Sequence, residues 1–392
     1  MRQSRHGPRL PVRLALIVVL ACGAIGVGAA RATETRLRSL GGVGDLCEDP
    51  ANVLRWYGCL ASYGNTALME LGEFGREGDP RDRQAAHQGG GGQFRLGPDG
   101  RNGTLGAYLA RHGDTGTWPA AWNLLYGRAW SSWQLALLFG VSKSDLETTG
   151  SDLIGSARDR EDEIFGLGGR WDLGSSAYLD LAGEWRGAWL EYRDPAAPVT
   201  IADRSWGSFG ARGRLFWGVT PEVVLVPYFA YARDDRWELD SAWTGLAGPY
   251  LLDAWSTVGG LGLNLLPSGD VLGIVGLEVR RGHHHEEGMT SSGAGWSEFV
   301  ARLGLEARLR PWLSLRAGAL TASGPDTGVR PASPDGLPET FDLTLGLGLH
   351  LGDLDADFLF NDDAPFNLGS LVTNAGGDEA STFSSVSLAY RF

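Results

Sequence analysis

The chain has 392 residues, 43% of them hydrophobic, with 47 acidic against 34 basic residues and a net charge of −13. A surface this anionic excludes nucleic acid, or an anionic lipid surface, as a partner held by charge. Its 59 glycines disfavour long helices, and past the first thirty residues every apolar stretch is broken by Gly, Arg or Asp well before the about 20 residues that a membrane helix needs.

Residues 1–32 read as a secretory signal peptide. Arg2, Arg5, Arg9 and Arg13 precede an apolar run from Leu14 to Ala30, which ends in the cleavage pattern Ala30-Arg31-Ala32. Cys22 offers a lipid attachment point, but Leu20 stands one position too close to it for the usual recognition pattern. The leader carries five arginines and no acid, so its removal would leave 360 residues and a net charge of −18.

Residues 33–65 form the next unit. Cys47 and Cys59 are the only cysteines outside the leader. In an oxidising compartment they predict a disulfide, which would close a short loop and contribute roughly 3 kcal/mol. The same unit carries Leu40-Gly41-Gly42-Val43-Gly44-Asp45 and then Glu48-Asp49-Pro50-Ala51-Asn52. From Ser39 to Gly44 it resembles the opening of FadL-type outer-membrane transporters for long-chain fatty acids, which begin with an Ala/Ser-Leu-Gly-Gly-Ala-Gly pattern, an acidic pair and Asn-Pro-Ala. Here the later elements stand in a different order, and Trp56-Tyr57-Gly58 falls about where Asn-Pro-Ala would be. The resemblance implies a fourteen-stranded barrel whose amino-terminal segment enters the lumen as a hatch. A simple periplasmic leader is the alternative for 33–65.

Residues 66–392 carry a period of two. Phe341, Leu343, Leu345, Leu347, Leu349 and Leu351 alternate with Asp342, Thr344, Gly346, Gly348 and His350, and Leu354, Ala356, Phe358 and Phe360 with Asp353, Asp355 and Asp357. Leu303, Leu305 and Leu309 oppose Arg302, Glu306 and Arg308, and Phe209, Ala211, Leu215 and Trp217 oppose Arg212 and Arg214. Successive strand residues face opposite sides, so one side is greasy and the other carries charges of both signs. Such charges are costly in a dry core and cheap beside water. The pattern therefore predicts an all-β fold, a single transmembrane antiparallel β-barrel with lipid outside and a hydrated lumen. Arg212, Arg214, Arg302, Glu306, Arg308, Asp342, Asp353, Asp355 and Asp357 are expected to line that lumen.

Short connections near 172–174, 218–221, 267–270, 310–311 and 352–353 alternate with long polar stretches at 145–160, 191–206, 234–250, 282–295, 323–338 and 362–379. This parity predicts about fourteen strands with both ends on the periplasmic side; residues 76–131, with Gly89 to Gly92 and the Trp118 to Trp133 stretch, leave twelve or sixteen open. In the last strand Val386, Leu388, Tyr390 and Phe392 alternate with small residues, a pattern that resembles the carboxy-terminal signal read by the outer-membrane assembly machinery.

Other chemistry is sparse. His283-His284-His285-Glu286-Glu287 offers metal-binding donors, but adjacent strand residues diverge, so a solvated loop is expected and no metal. A Ser/His/Asp hydrolase would need its members together on a loop-facing or outward patch. His350 instead lies on the inner face of a strand, and no G-x-S-x-G elbow occurs. The expectation is a non-enzymatic barrel of the bacterial outer membrane, without cofactor, whose partners are the bilayer, the assembly machinery and a small or hydrophobic solute that it conducts. A structural or accessory barrel serving a secretion or surface complex is the competing expectation.

Overall fold

The computed structural model describes residues 33–72, 88–110, 122–147, 157–193, 200–238, 250–287, 292–324, 340–360 and 383–392. The expected signal peptide lies outside them. Sixteen antiparallel strands close on themselves, each paired with its neighbours in sequence and β1 with β16. The first four are short: β1 (Thr66–Gly72), β2 (Gln88–Arg95), β3 (Thr104–Ala110) and β4 (Trp122–Ala129). The wall then lengthens through β5 (Trp133–Glu147), β6 (Ala157–Asp172), β7 (Ala177–Arg193), β8 (Thr200–Thr220), β9 (Val223–Glu238), β10 (Tyr250–Ser268), β11 (Val271–Glu287) and β12 (Ser292–Arg310). It shortens again through β13 (Leu313–Ser323), β14 (Thr340–Leu351), β15 (Leu354–Phe360) and β16 (Phe383–Arg391).

The count corrects the expected fourteen to sixteen, and the added pair is β2 and β4. β2 reads Gln-Gly-Gly-Gly-Gly-Gln-Phe-Arg. Four glycines carry no alternation, so its backbone pairing left no trace in side-chain chemistry. β4 does alternate, with Trp122, Leu124 and Tyr126 exposed, but its inner face holds the fully buried Leu125 as well as Asn123. An apolar residue on both faces hides the period.

Several expected loops are wall. β7 and β8 stay paired to Arg193 and Thr200, and β11 and β12 to Glu286 and Ser292, so His283 to His285 stand in a strand rather than in a loop. Backbone hydrogen bonds need no greasy face to form, and above the hydrocarbon both sides of a strand meet water. Among the described residues no three His, Cys, Asp or Glu side chains are grouped to hold a metal.

Inside the barrel, residues 33–65 fold into a helix α1 (Glu34–Ser39) and two single-turn 3-10 segments, Pro50–Leu54 and Tyr57–Ser62. α1 starts where Thr33 Oγ1 accepts from Arg36 N, and it stops at the turn of Gly41 and Gly42, both at positive φ. Asp49 caps the first 3-10 turn, accepting from Ala51 N at 2.8 Å, with Pro50 at its first position. Two apolar clusters pin the segment. Leu37, Leu40, Val43, Leu46 and Cys47 meet Tyr228 and Ile274, while Val53, Trp56, Tyr57, Cys59 and Leu60 meet Leu125, Leu138 and Ile164.

Candidate functional site

The outer face decides what surrounds the barrel. Along β11 the outward residues run from Val271 through Leu277 and Val279, exposed at 48% and 44% for the last two, before Arg281 breaks the series. That stretch rises about 27 Å along the strand, or about 21 Å vertically at the usual tilt of about 40°, and Arg281 stands about 5 Å higher. The rows beside it agree: Phe229, Gly259, Val279 and Phe299 lie abreast, and the next outward row, Tyr231, Thr257, Arg281 and Ser297, is polar. Exposed aromatics mark both limits, with Trp133, Trp217, Trp312, Tyr390 and Phe392 at the short-turn end and Trp185, Phe209, Trp255, Phe299 and Phe341 at the other. An apolar belt about 25 Å high between two aromatic girdles is matched to hydrocarbon. The chain is a membrane-spanning β-barrel. The even strand number, with short turns gathered at one end, is the architecture of bacterial outer-membrane barrels.

The lumen is the candidate site, and residues 33–65 occupy it. Where that segment presses on the wall, the wall presents glycine. A Cβ at Gly318 would lie 2.1 Å from Gly41 N, one at Gly346 2.5 Å from Ser39 Cβ, one at Gly168 2.6 Å from Gly58 N, and one at Gly166 2.5 Å from the Tyr57 ring. No other residue would let the segment sit at this depth.

Charged groups fasten the two parts together. Arg36 of α1 donates to Glu306 at 2.6 and 3.2 Å and to Asp49 at 3.0 Å. Arg316 joins Glu306 to Asp357, each at 2.6 Å, and Asp357 accepts from Thr33 at 2.8 Å. Arg36, Arg316, Asp49 and Asp357 are all at most 3% exposed. Three carboxylates thus share two guanidiniums in a buried site. Burial opposes the Arg36 cation, but Glu306 and Asp49 outweigh it and hold the group charged; burial also pushes the Asp49 carboxyl up to about 7 against the pull of Arg36.

A second knot lies across the lumen. Asp180 accepts from Arg170 at 2.6 Å and from Arg214 at 3.0 Å; Arg170 reaches Glu48 of the plug segment, and Arg214 reaches the Cys47 carbonyl while stacking on Trp56. Arg302 links Glu278, at 2.6 Å, to the carbonyls of Gly41 and Gly42, and Arg212 and Tyr57 share Glu184. Between the segment and strands β1 and β3 remains a cavity of about 10 Å³, bordered by Glu34, Val53, Leu54, Leu68, Glu70 and Tyr108.

Arg212, Arg214, Arg302, Glu306, Asp355 and Asp357 face inward and are paired. They border a packed protein segment more than open water. Arg308 is inward at the rim, where it donates to the Pro311 carbonyl at 2.9 Å, and Asp342 keeps the inward parity but is exposed near the opposite end. Asp353 is corrected: it sits in the exposed turn after β14, because Gly352 at φ 70 reverses the chain before the inner face resumes at Asp355. The disulfide is also corrected. Cys47 and Cys59 are free, buried thiols in separate apolar clusters, kept apart by the first 3-10 turn, and burial pushes each up to about 12. Leu388 and Tyr390 of the last strand point outward, and Phe392 packs on Phe94 at 5.6 Å. Alternation also sets Asp180 and Arg316 on the inner face, whereas Arg36, Asp49, Arg170 and Glu278 were not selected, their only signal being inward parity or proximity to the glycine turn.

No known family matches the sequence, and no curated protein matches it. Among solved structures, the chain is similar to BauA, the ferric preacinetobactin receptor of Acinetobacter baumannii, at 12% identity and a TM-score of 0.49, over 75% of this chain and 53% of that one. The chain thus spans about half the length of that receptor. It is also similar to the toluene transporter TodX of Pseudomonas putida, at 12% identity and a TM-score of 0.46, and to a FadL homologue of Pseudomonas aeruginosa, at 11% and 0.46, each over 94% of this chain and all of the other.

Proposed function

We propose that this chain is a FadL-type channel of the bacterial outer membrane, which passes a small or hydrophobic solute when residues 33–65 shift within the lumen. One observation carries the reading: the plug segment is held by buried polar clasps and two separate apolar clusters, not by one continuous apolar core. The remaining cavity holds about 10 Å³, room for about one water and far below the roughly 300–1,000 Å³ of ligand pockets, so passage requires the segment to move. The Ser39 to Gly44 motif supports the family assignment, and sixteen strands depart from the fourteen it implies.

The test is planar-bilayer conductance of the refolded chain with and without residues 33–65. Small or no conductance in the first and large steps in the second support a plugged channel. Silence in both, together with no binding of fatty acids or small aromatics, would instead favour an accessory barrel acting through its long connections.

A further inference from the structure

Four adjacent strands bring together, at the short-turn rim, a relay that the proposed passage does not use. Ser314 is the second residue of β13, His350 the last but one of β14, Asp355 the second of β15, and Arg391 the end of β16. The register sets Asp355 opposite His350, and Ser314 opposite Gly348, one diagonal step from the histidine. On the inner face the side chains meet. Ser314 Oγ lies 3.0 Å from His350 Nε2, His350 Nδ1 lies 2.8 Å from Asp355 Oδ1, and Arg391 Nη2 donates to Asp355 Oδ2 at 3.0 Å. A carboxylate that accepts from the Nδ1–H leaves Nε2 as the acceptor facing the hydroxyl, the order a nucleophile, base and orienting acid require.

A second observation is independent of the relay. Arg308 is the cross-strand partner of Ser314 on β12, beside an irregularity in register between Arg308 and Arg310. Arg316 lies on the other flank, its Nη2 packed over Gly348, where an added Cβ would stand 2.4 Å away. Arg308 Nε and Arg316 Nη2 are both buried, and neither has a hydrogen-bond partner among the described residues. Arg316 is otherwise paired with Glu306 and Asp357 and Arg308 with the Pro311 carbonyl, so each guanidinium is held in place, on a strand flanking Ser314 or on its own strand, with one N–H group left over. A tetrahedral oxyanion formed on Ser314 would use them both.

We propose that Ser314, His350 and Asp355 form a hydrolytic site for small acyl esters at the short-turn mouth of the barrel. Ser314 Oγ attacks the ester carbonyl carbon as its proton passes to His350 Nε2, and the carbonyl π pair moves onto an oxygen held by Arg308 and Arg316. Collapse breaks the bond to the alkoxy oxygen, which departs as the alcohol with the proton from Nε2. Water then attacks the acyl-serine, its proton again taken by Nε2, and collapse releases the carboxylic acid as the proton returns to Oγ. Ester and water give acid and alcohol, with no further reactant. Ser314 is 2% exposed, so a small acyl group is the substrate class proposed, reaching it from the rim, where the side chains of His350 and Arg391 are 13% and 37% exposed. Esters are favoured over amides because an alcohol leaves more readily than an amine.

The experiment treats the refolded full chain with an alkyl fluorophosphonate and reads the adduct by peptide mass spectrometry, alongside p-nitrophenyl acetate hydrolysis. The adduct is expected on Ser314. Hydrolysis is expected to fall at least about 100-fold in Ser314→Ala, and by a similar factor in His350→Gln. Arg308→Met should lower the rate while retaining the adduct. No adduct on Ser314 in the unsubstituted chain, or a rate undiminished by Ser314→Ala, would overturn the proposal, and the first of these needs no variant to fold. Bilayer conductance of Ser314→Ala is expected to match that of the unsubstituted chain, so the hydrolytic site and the channel stand or fall separately.

Discussion

At the scale of single residues, Arg36 joins the plug segment to the wall, and its chemistry predicts two outcomes. Arg36→Met leaves Glu306 and Asp49 buried with one guanidinium fewer, a change that typically costs about 3–5 kcal/mol. Residues 33–65 should become cleavable by protease at much lower urea than in the unsubstituted barrel; equal protection would show that the clasp does not hold the segment. Asp49 gives the pH dependence. Its carboxyl rises from an ordinary 3.8 to about 7, and burial pushes Glu34 in the same direction. An acid that holds its proton more tightly when seated stabilises seating fully below about pH 4, and this contribution is lost as pH climbs through about 7. Protease protection should therefore weaken between roughly pH 4 and 7 and level off above, and Asp49→Asn should flatten that decline. None of these partnerships was legible in the sequence, since Arg36 and Glu306 are 270 positions apart and only closure of the barrel makes them neighbours.

At the scale of elements, the inner wall is shaped to its occupant. Large residues face out and glycines face the plug segment, so the alternation that marked the strands in sequence also records where the segment touches. The reading worked where the inner face is charged or bare, as in β13 and β14. It failed in β4, because Leu125 packs on the plug segment and makes the inner face apolar too. It failed in β2 because glycine on both faces encodes no side at all. The fit predicts a paired contrast. Gly318→Val would put side-chain atoms inside the backbone of Leu40 and Gly41, so the segment should be expelled and conductance should appear. Gly259→Val faces open space outside the barrel, with nothing within 4 Å of the new Cβ, and should leave conductance unchanged. Two silent variants would mean that close approach at Gly318 is not what seats the segment.

At the scale of the whole molecule, the balance that matters lies between hydrocarbon outside and a fastened polar interior. A soluble sandwich built from these strands would bury Leu303, Phe299 and Leu315 against one another, whereas here they are exposed at 48%, 46% and 43% and touch no second sheet. Stability in the bilayer should then depend on depth. Leu303 lies mid-belt on β12, so Leu303→Arg should cost roughly 2–4 kcal/mol in urea titrations of the barrel refolded into lipid vesicles. Ser297→Arg, in the polar row beside Arg281, should cost roughly 0–1 kcal/mol by the same measurement. Both substitutions add one guanidinium to the outside of the same strand, at different positions along the membrane normal, and the like-charge contact with Arg281 works against Ser297→Arg, so a larger cost at Leu303 reports depth. Equal costs would mean that no hydrocarbon surrounds β12. The observed belt, bounded above by Arg281 and below by Trp217 and Trp312, requires them to differ.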